Sequence, residues 1–367
     1  MKKYLIILLL FSLQSRGQTR EISFPDVPGY LTLVCDLHQH TVFSDGSVWP
    51  DIRVQEAVLD GLDAIALTEH IEYQPHKEDI PHPDRNRSFE IARNSAGNED
   101  LIIIHGTEIT RSMPPGHSNA IFIQDVNKLI LDDPIEVFRE ANAQGAFVFW
   151  NHPHWPRQKP DGIAELTDMH KQLISEGLLH GIEVVNEGTY SDEALKIAQE
   201  NNLTIMGTSD IHGLIDWLFD IPGGGHRPVT LVFARERTEA SIKEALQAGM
   251  TVAWFKNNLI GNEAQLVPLL NSCLKAGEVS YMEETSVAVA KISNVSDATM
   301  VLRSSSDYTF HEHSDLIEIP PHSSVELSIK TVDEMDSFQL TFEVLNAITA
   351  PGKHPVINLE CRMNNEQ

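Results

Sequence analysis

Between residues 31 and 255 short apolar runs alternate with segments of helical spacing. Runs at 31–35, 63–68, 101–105, 120–123, 146–150, 182–185, 203–206 and 229–233 have the length and Val/Ile/Leu/Phe content of buried strands. Between them, Val54, Ala57 and Val58 recur at helical spacing after Trp49-Pro50-Asp51, and Gly61 stops the pattern. Asp133-Pro134 opens a second helix that Gly145 closes, Pro being tolerated at the first helical position. Ser191-Asp192-Glu193 caps a third that fades at Asn201-Asn202, and 238–247 forms another, ending near Gly249. Seven or eight β/α repeats over this length predict an α/β fold, a closed or nearly closed parallel barrel, with a doubly wound open sheet as the alternative.

The pattern changes after about residue 270. Residues 286–292 alternate apolar and polar, 294–297 are turn-like, and strand-like runs follow at 300–302, 316–319, 325–329, 338–345 and 356–359. No helical spacing interrupts them. This predicts a small antiparallel β-sandwich over 271–367, after a main domain over 18–270. The sandwich carries His311-x-His313, which without neighbouring ligand-type residues reads as surface.

Composition changes the picture in three places. The formal charge of −26 disfavours a long polyanionic partner, since nucleic acid is bound chiefly through Lys and Arg on phosphates. Lys2 and Lys3 precede an apolar stretch, 4–13, too short to span a bilayer, and Ser15-Arg16-Gly17 supplies a small-x-small cleavage site. Residues 1–17 are therefore expected to be a signal peptide and the mature protein exported, periplasmic or secreted; a buried N-terminal helix or strand is the alternative. No later segment predicts a membrane span. Cys35, Cys273 and Cys361 make no disulfide framework, although a Cys273–Cys361 bridge is sterically open from sequence.

The chemistry begins at Asp36-Leu-His38-Gln-His40-Thr41, followed by Phe43-Ser44-Asp45-Gly46, at the end of the first predicted strand. Residues two apart on a strand face one side, so His38 and His40 can grip one ion together. Asp36 shares that side and can orient His38. Later strand ends carry Leu67-Thr68-Glu69-His70, Gly106-Thr107-Glu108, His117, Asn151-His152-Pro153 and Ser209-Asp210-x-His212. In a barrel such ends converge on one face.

This series, in this order, resembles the PHP (polymerase and histidinol phosphatase) family. The resemblance implies a distorted (β/α)7 barrel with a di- or trinuclear metal centre that hydrolyses phosphate esters through a metal-bridged hydroxide. It implies one ion held by His38, His40, Glu108 and Asp210, a second sharing Glu108 with His117 and His152, and a third held by Asp45, His70 and His212. Glu69 departs from the Asp found in many members and can alter the support of His70. Imidazole and carboxylate ligands without thiolate suit two or three divalent ions, Mn, Zn or Fe. Asp210 and Glu108 are the implied catalytic carboxylates, and Asp210 is a candidate proton acceptor.

Selectivity rests with loops. His76, Lys77, Arg85 and Arg87 make residues 72–88 basic in an acidic chain, either as a clamp for an anionic group or as a solvated loop with local ion pairs. Arg227 lies in the loop after Asp210 and His212. His154 follows the His152 motif, as a proton donor or phosphate contact or as an ordinary loop residue; Tyr73 and Trp155 offer apolar walls. The loop 71–77 and the exported two-domain layout are similar to a phosphodiesterase subgroup of the family. The expected substrate is a small organic phosphodiester. A phosphomonoesterase, a nuclease, or an exported metal- or glycan-binding protein are the alternatives. If the N-terminus directs export, the mature chain begins near Gln18, and charged residues in place of Leu8 and Leu9 leave an uncleaved precursor in the cytoplasm. N-terminal sequencing of fractionated cells checks this, and an uncleaved wild-type chain in the cytosol would refute it.

Overall fold

The protein is described by a computed structural model over residues 21–363; the predicted signal segment at 1–17 lies outside the described residues. Eleven of the twelve strands of the main sheet come from residues 31–260: β1 (Leu31–Gln39), β2 (Ala64–Leu67), β3 (Ile102–Thr110), β4 (His117–Ile121), β5 (Phe147–Trp150), β6 (Gly181–Asn186), β7 (Thr189–Tyr190), β8 (Thr204–Thr208), β9 (Val229–Ala234), β10 (Thr251–Phe255) and β11 (Asn258–Ile260). Their order is β11-β10-β9-β1-β2-β3-β4-β5-β6, with β7 and β8 both paired to β6.

The sheet is mixed, which corrects the expectation of an all-parallel barrel. β1-β2-β3 and β5-β6-β8 are parallel, with helices such as Pro50–Leu59, Arg87–Ala96 and Asp192–Asn201 in the connections. β4 runs antiparallel to both neighbours, because the 111–116 link after β3 is too short for a crossover helix. β9 is antiparallel to β1 and to β10. The predicted helix starts are present: the Asp133 side chain accepts from the Ile135 and Glu136 amides, and Ser191 accepts from the Ala194 amide.

The sheet curls until its ends meet. Leu33, Cys35 and Leu37 of β1 share one buried cluster with Ala64, Ile104, Phe147, Phe149, Met206 and Val232. Only the concave side of a curled sheet brings residues from so many strands together. The seam closes through side chains: the Gly207 amide donates to Thr230 Oγ1 at 3.0 Å, and that hydroxyl donates to the Gly207 carbonyl at 2.8 Å. A Cβ at Gly207 would lie 2.7 Å from the Ala253 Cβ, so the close approach requires glycine.

Helix Glu263–Cys273 carries the main domain three residues beyond the sequence-based boundary at 270. Two antiparallel four-stranded sheets follow. One holds β12 (Leu274–Tyr281), β13 (Val287–Asn294), β15 (Thr309–Phe310) and β17 (Ser324–Lys330). The other holds β14 (Met300–Ser304), β16 (Leu316–Ile319), β18 (Ser337–Val344) and β20 (Val356–Arg362). Alternate residues such as Ala288, Ala290, Leu340 and Phe342 are buried, as a sandwich requires. Cys35, Cys273 and Cys361 are buried free thiols, so no bridge joins the last two.

The sandwich is not a pendant module. β19 (Ala347–Ile348) adds to the main sheet as a parallel partner of β11. The Asn346 amide donates to the carbonyls of Asn257 and Thr299, both at 2.8 Å. Leu266, Leu269, Val252 and Trp254 of the main domain share one apolar core with Ile292, Leu340 and Phe342 of the sandwich. Among the described residues no helix is long and apolar enough to cross a membrane.

One core group makes stability depend on pH. His105 on β3 stacks on Phe89 with centroids 4.1 Å apart, and burial pulls its imidazole down to about 4. The unfolded chain protonates this group near 6.5, so between pH 6.5 and 4 the unfolded state binds more protons and stability falls as pH drops. Thermal unfolding of His105→Leu beside wild type should show the variant gaining up to about 3 kcal/mol relative to wild type across that window. Parallel curves would show that the folded protein protonates His105 freely.

Candidate metal centre

The end of β1 is tied to the segment after β8: the Asp210 amide donates to the His38 carbonyl at 2.9 Å and the His40 amide to the Ile211 carbonyl at 3.0 Å. A register irregularity between Asp36 and Gln39 accompanies this junction. His38 and His40, both fully buried, then face each other with Nε2 atoms 3.0 Å apart. Asp210 Oδ1 lies 3.1 Å from each, and Glu108 Oε2 lies 3.3 and 3.2 Å away. Two imidazole nitrogens and two carboxylate oxygens at this mutual spacing match donor atoms each about 2.0–2.2 Å from one cation.

Glu108 is the hub. Its Oε1 faces His117 Nδ1 at 2.6 Å and His152 Nε2 at 3.8 Å, while Oε2 faces His38, His40 and, at 3.1 Å, His70 Nδ1. Burial pushes its carboxyl up, but the surrounding charge of His70 and His117 outweighs this and holds it well below the usual range. A third grouping centres on Asp45 Oδ1, 3.2 Å from His212 Nε2, 3.4 Å from His70 Nε2 and 3.9 Å from His40 Nδ1. For His212, burial lowers the imidazole, but Asp45 and Asp210 prevail and raise it to about 9.

Three overlapping groups can thus hold a metal ion: His38, His40 and Asp210; His70, Glu108 and His117; and His40, Asp45, His70 and His212. Buried Asp45 Oδ1, Glu108 Oε1, Asp210 Oδ1 and His117 Nδ1 have no partner in hydrogen-bond alignment. Leaving such atoms unsatisfied is costly, and a divalent cation satisfies them. The donor set fits.

Other buried groups aim the ligands, and sequence reasoning missed two of them. Glu183 accepts from His38 Nδ1 at 2.7 Å and from Thr208 Oγ1 at 2.6 Å, and its second oxygen accepts from the His152 amide at 2.7 Å and Asn186 Nδ2 at 2.9 Å. It fixes the His38 proton on Nδ1, leaving Nε2 for the centre. The only hint was an acidic residue inside the apolar run 182–185. Asp36 does not orient His38 as expected. It accepts from the Ser209 amide and hydroxyl, Gln39 and Arg227. Glu69 supports the 41–44 turn rather than His70, accepting from Thr41 Oγ1 at 2.5 Å and Ser44 Oγ at 2.6 Å.

Arg53 is the second group missed. Its fully buried guanidinium donates to the His40 carbonyl at 3.0 Å, the Gly213 carbonyl at 2.6 Å and Glu56 at 2.5 Å. Glu56 in turn accepts from the Ile215 amide at 2.8 Å. The pair staples the loops bearing His40 and His212.

The expected substrate residues divide. Arg227 is corrected: it is fully buried, with Nε on Asp60 at 2.8 Å and Nη1 on Asp36 at 3.1 Å, so it cannot meet a substrate. Arg85 is half-buried and shares a small cleft with His70 and Glu69, its Nε without a partner. Arg87 lies farther out, paired with Glu90 on the rim of a 380 Å³ cavity lined by Phe43, Trp49 and His82. Lys77 is exposed and His76 half-buried on the loop, outside the three ligand groups. His154 donates from Nε2 to Thr189 Oγ1 at 2.8 Å, whose hydroxyl donates to the Asn186 carbonyl. Burial, with the neighbouring His152, lowers its imidazole, and the Nε2 contact turns that nitrogen to the 186–189 turn, outside the three ligand groups.

Fold and site have solved counterparts. A two-domain protein from Bacteroides vulgatus, containing a predicted PHP-like metal-dependent phosphoesterase, is 44% identical, covering 94% of this chain and 99% of its own, with a TM-score of 0.87. The chain belongs to this PHP-like family. An Ig-like domain model matches residues 274–360, the sandwich. A candidate metal-dependent phosphoesterase from Bifidobacterium adolescentis is 19% identical over 49% of this chain and 87% of its own, at a TM-score of 0.38. An uncharacterized protein of Methanocaldococcus jannaschii is 37% identical over 82 residues, 22% of this chain; the match spans about a third (34%) of that curated relative.

Arg53→Met should leave the protein folded while loosening both ligand loops, with metal stoichiometry reduced and about 10–100-fold of metal affinity lost. Arg53→Lys restores only part, since one ammonium cannot span carbonyls on two loops. Metal analysis after dialysis, with circular dichroism on the same sample, checks this; full metal content in a folded Arg53→Met protein would count against the staple.

Proposed function

We propose that this protein is an exported, metal-dependent phosphodiesterase acting on small organic phosphodiesters. The observation that carries the reading is Glu108: one buried carboxylate presents its two oxygens to two different sets of imidazoles. His38, His40, Glu108 and Asp210 would hold one divalent ion, with His117 and His152 or Asp45, His70 and His212 holding others. Bound there, such ions supply Lewis-acid charge to phosphoryl oxygens and make water acidic enough to attack near neutral pH.

The chain's own groups supply position. Asn186 Nδ2 donates to Asp210 Oδ2 at 3.2 Å, which turns Oδ1 toward the paired imidazoles. Burial pushes the Asp210 carboxyl up, but His38, His40 and His212 outweigh this and hold it well below the usual range, which suits a ligand better than a proton acceptor. Arg85 lines a small cleft with His70, which supports a role in meeting an anionic oxygen. A diester with one negative charge suits a protein of formal charge −26 better than a doubly charged monoester. Mn, Zn and Fe(II) all accept this donor set, and the Lys2-Lys3 and 4–13 segment supports export.

Glu108→Gln keeps the volume and removes the charge that two ligand sets share. Diester turnover should fall by at least about 100-fold, with at least one ion lost per chain. Arg85→Ala should keep full metal content and lose substrate binding or turnover. Metal analysis beside steady-state kinetics on mono-, di- and triesters separates the two; a Glu108→Gln protein with full metal and normal turnover would overturn the proposed centre.

A further inference from the structure

Three aromatic rings stand against the ligand imidazoles or the residues beside them, with surface left over. Tyr73, 52% exposed, meets His70 edge-on at 5.9 Å and 68°. Trp155, half-buried, meets His152 at 5.2 Å and 63° and His117 at 5.6 Å and 55°. Trp217, 75% exposed, lies over Gly213, where a Cβ would fall 3.3 Å from its Cε3. Gly213 directly follows His212, so the three rings belong to segments that follow three ligands, His70, His152 and His212. The Trp217 loop is braced: Ile215 is buried with its amide on Glu56, the Trp217 amide donates to the Leu214 carbonyl at 3.1 Å, and the Gly223 amide donates to the Asp220 carbonyl at 2.9 Å.

We infer that Trp217, Trp155 and Tyr73 form a subsite for one ester arm of the substrate, and that this arm carries a planar aromatic ring. The inference rests on the phosphodiesterase reading and adds the chemistry of the group beside the phosphate. A tryptophan held three-quarters in water on a braced loop leaves unburied the apolar surface that folding would otherwise hide. Beside a centre that takes the phosphate, that surface is where the non-reacting arm of an ester must lie. Ring edges and faces attract another aromatic ring beyond simple area burial, whereas a saturated ring of equal size gains only the burial. The Arg157 guanidinium, 5.7 Å from the Trp155 centroid, adds a cation that an electron-rich ring can also meet.

The test uses the metal-loaded full chain and two diesters with one leaving group: trifluoroethyl phenethyl phosphate and trifluoroethyl cyclohexylethyl phosphate. Release of trifluoroethanol is followed by fluorine NMR, so reactivity at phosphorus is matched. The phenethyl ester should have kcat/KM about 10-fold higher, with the gain chiefly in KM. In Trp217→Leu and in Trp155→Leu the ratio should shrink toward 1. Binding of phenethyl phosphate against cyclohexylethyl phosphate, by equilibrium dialysis, reads the same preference without turnover. Equal kcat/KM for the two diesters in wild type overturns the aromatic subsite and leaves the phosphodiesterase reading standing. No hydrolysis of either ester, with the binding preference intact, overturns that reading and leaves the subsite. A preference that survives both tryptophan changes overturns the assignment to these rings.

Discussion

A carboxylate buried among imidazoles is the constraint around which this molecule is arranged. Glu108 has no exposed side-chain surface, yet His38, His40, His70 and His117 all lie within 3.3 Å of its oxygens. Charge in a low-dielectric interior must be matched by opposite charge at short range or it is expelled. These imidazoles therefore have to arrive from β1, β4 and the end of β2 within a few tenths of an ångström. A sheet that curls until β8 meets β9 provides that convergence, and the mixed strand directions do not spoil it. What counts is where strand ends lie, not that every strand runs the same way.

The second layer around the centre is itself charged and itself buried. Arg53 with Glu56, Arg227 between Asp36 and Asp60, and Glu183 on His38 are each satisfied by several hydrogen bonds. Buried ion pairs contribute little net stability, because desolvation offsets their attraction. Their value here is geometric. Each joins segments distant in sequence, and each ends on a ligand, on a backbone group next to one, or on the strand that carries them. Rigidity at the centre comes from this polar lattice rather than from apolar packing alone.

The sandwich takes part in that rigidity from a distance. β19 extends the main sheet beyond β11, and one apolar core runs from helix Glu263–Cys273 into both sandwich sheets. A domain joined by a strand and a common core does not swing freely, unlike one joined by a polar interface. The order of the chain thus places an Ig-like domain where it stiffens one edge of the curled sheet.

Much of this was legible in the chain. Strand and helix periods are set by local backbone geometry, so alternating runs announced both domains, and His38-x-His40, Glu108, His117 and Asp210-x-His212 stood out because each lies beside a strand-like run. The partners of buried charges were not legible. Glu183 lies 145 residues from His38 and Arg227 lies 191 from Asp36, and no local pattern links them. Sequence alone made Arg227 a basic loop residue facing substrate and Asp36 the support of His38; packing turned both into a sealed ion pair. The backbone period tells which residues share a face, and only the closed sheet decides which faces touch, because pairing buried charges depends on distances that the fold as a whole creates.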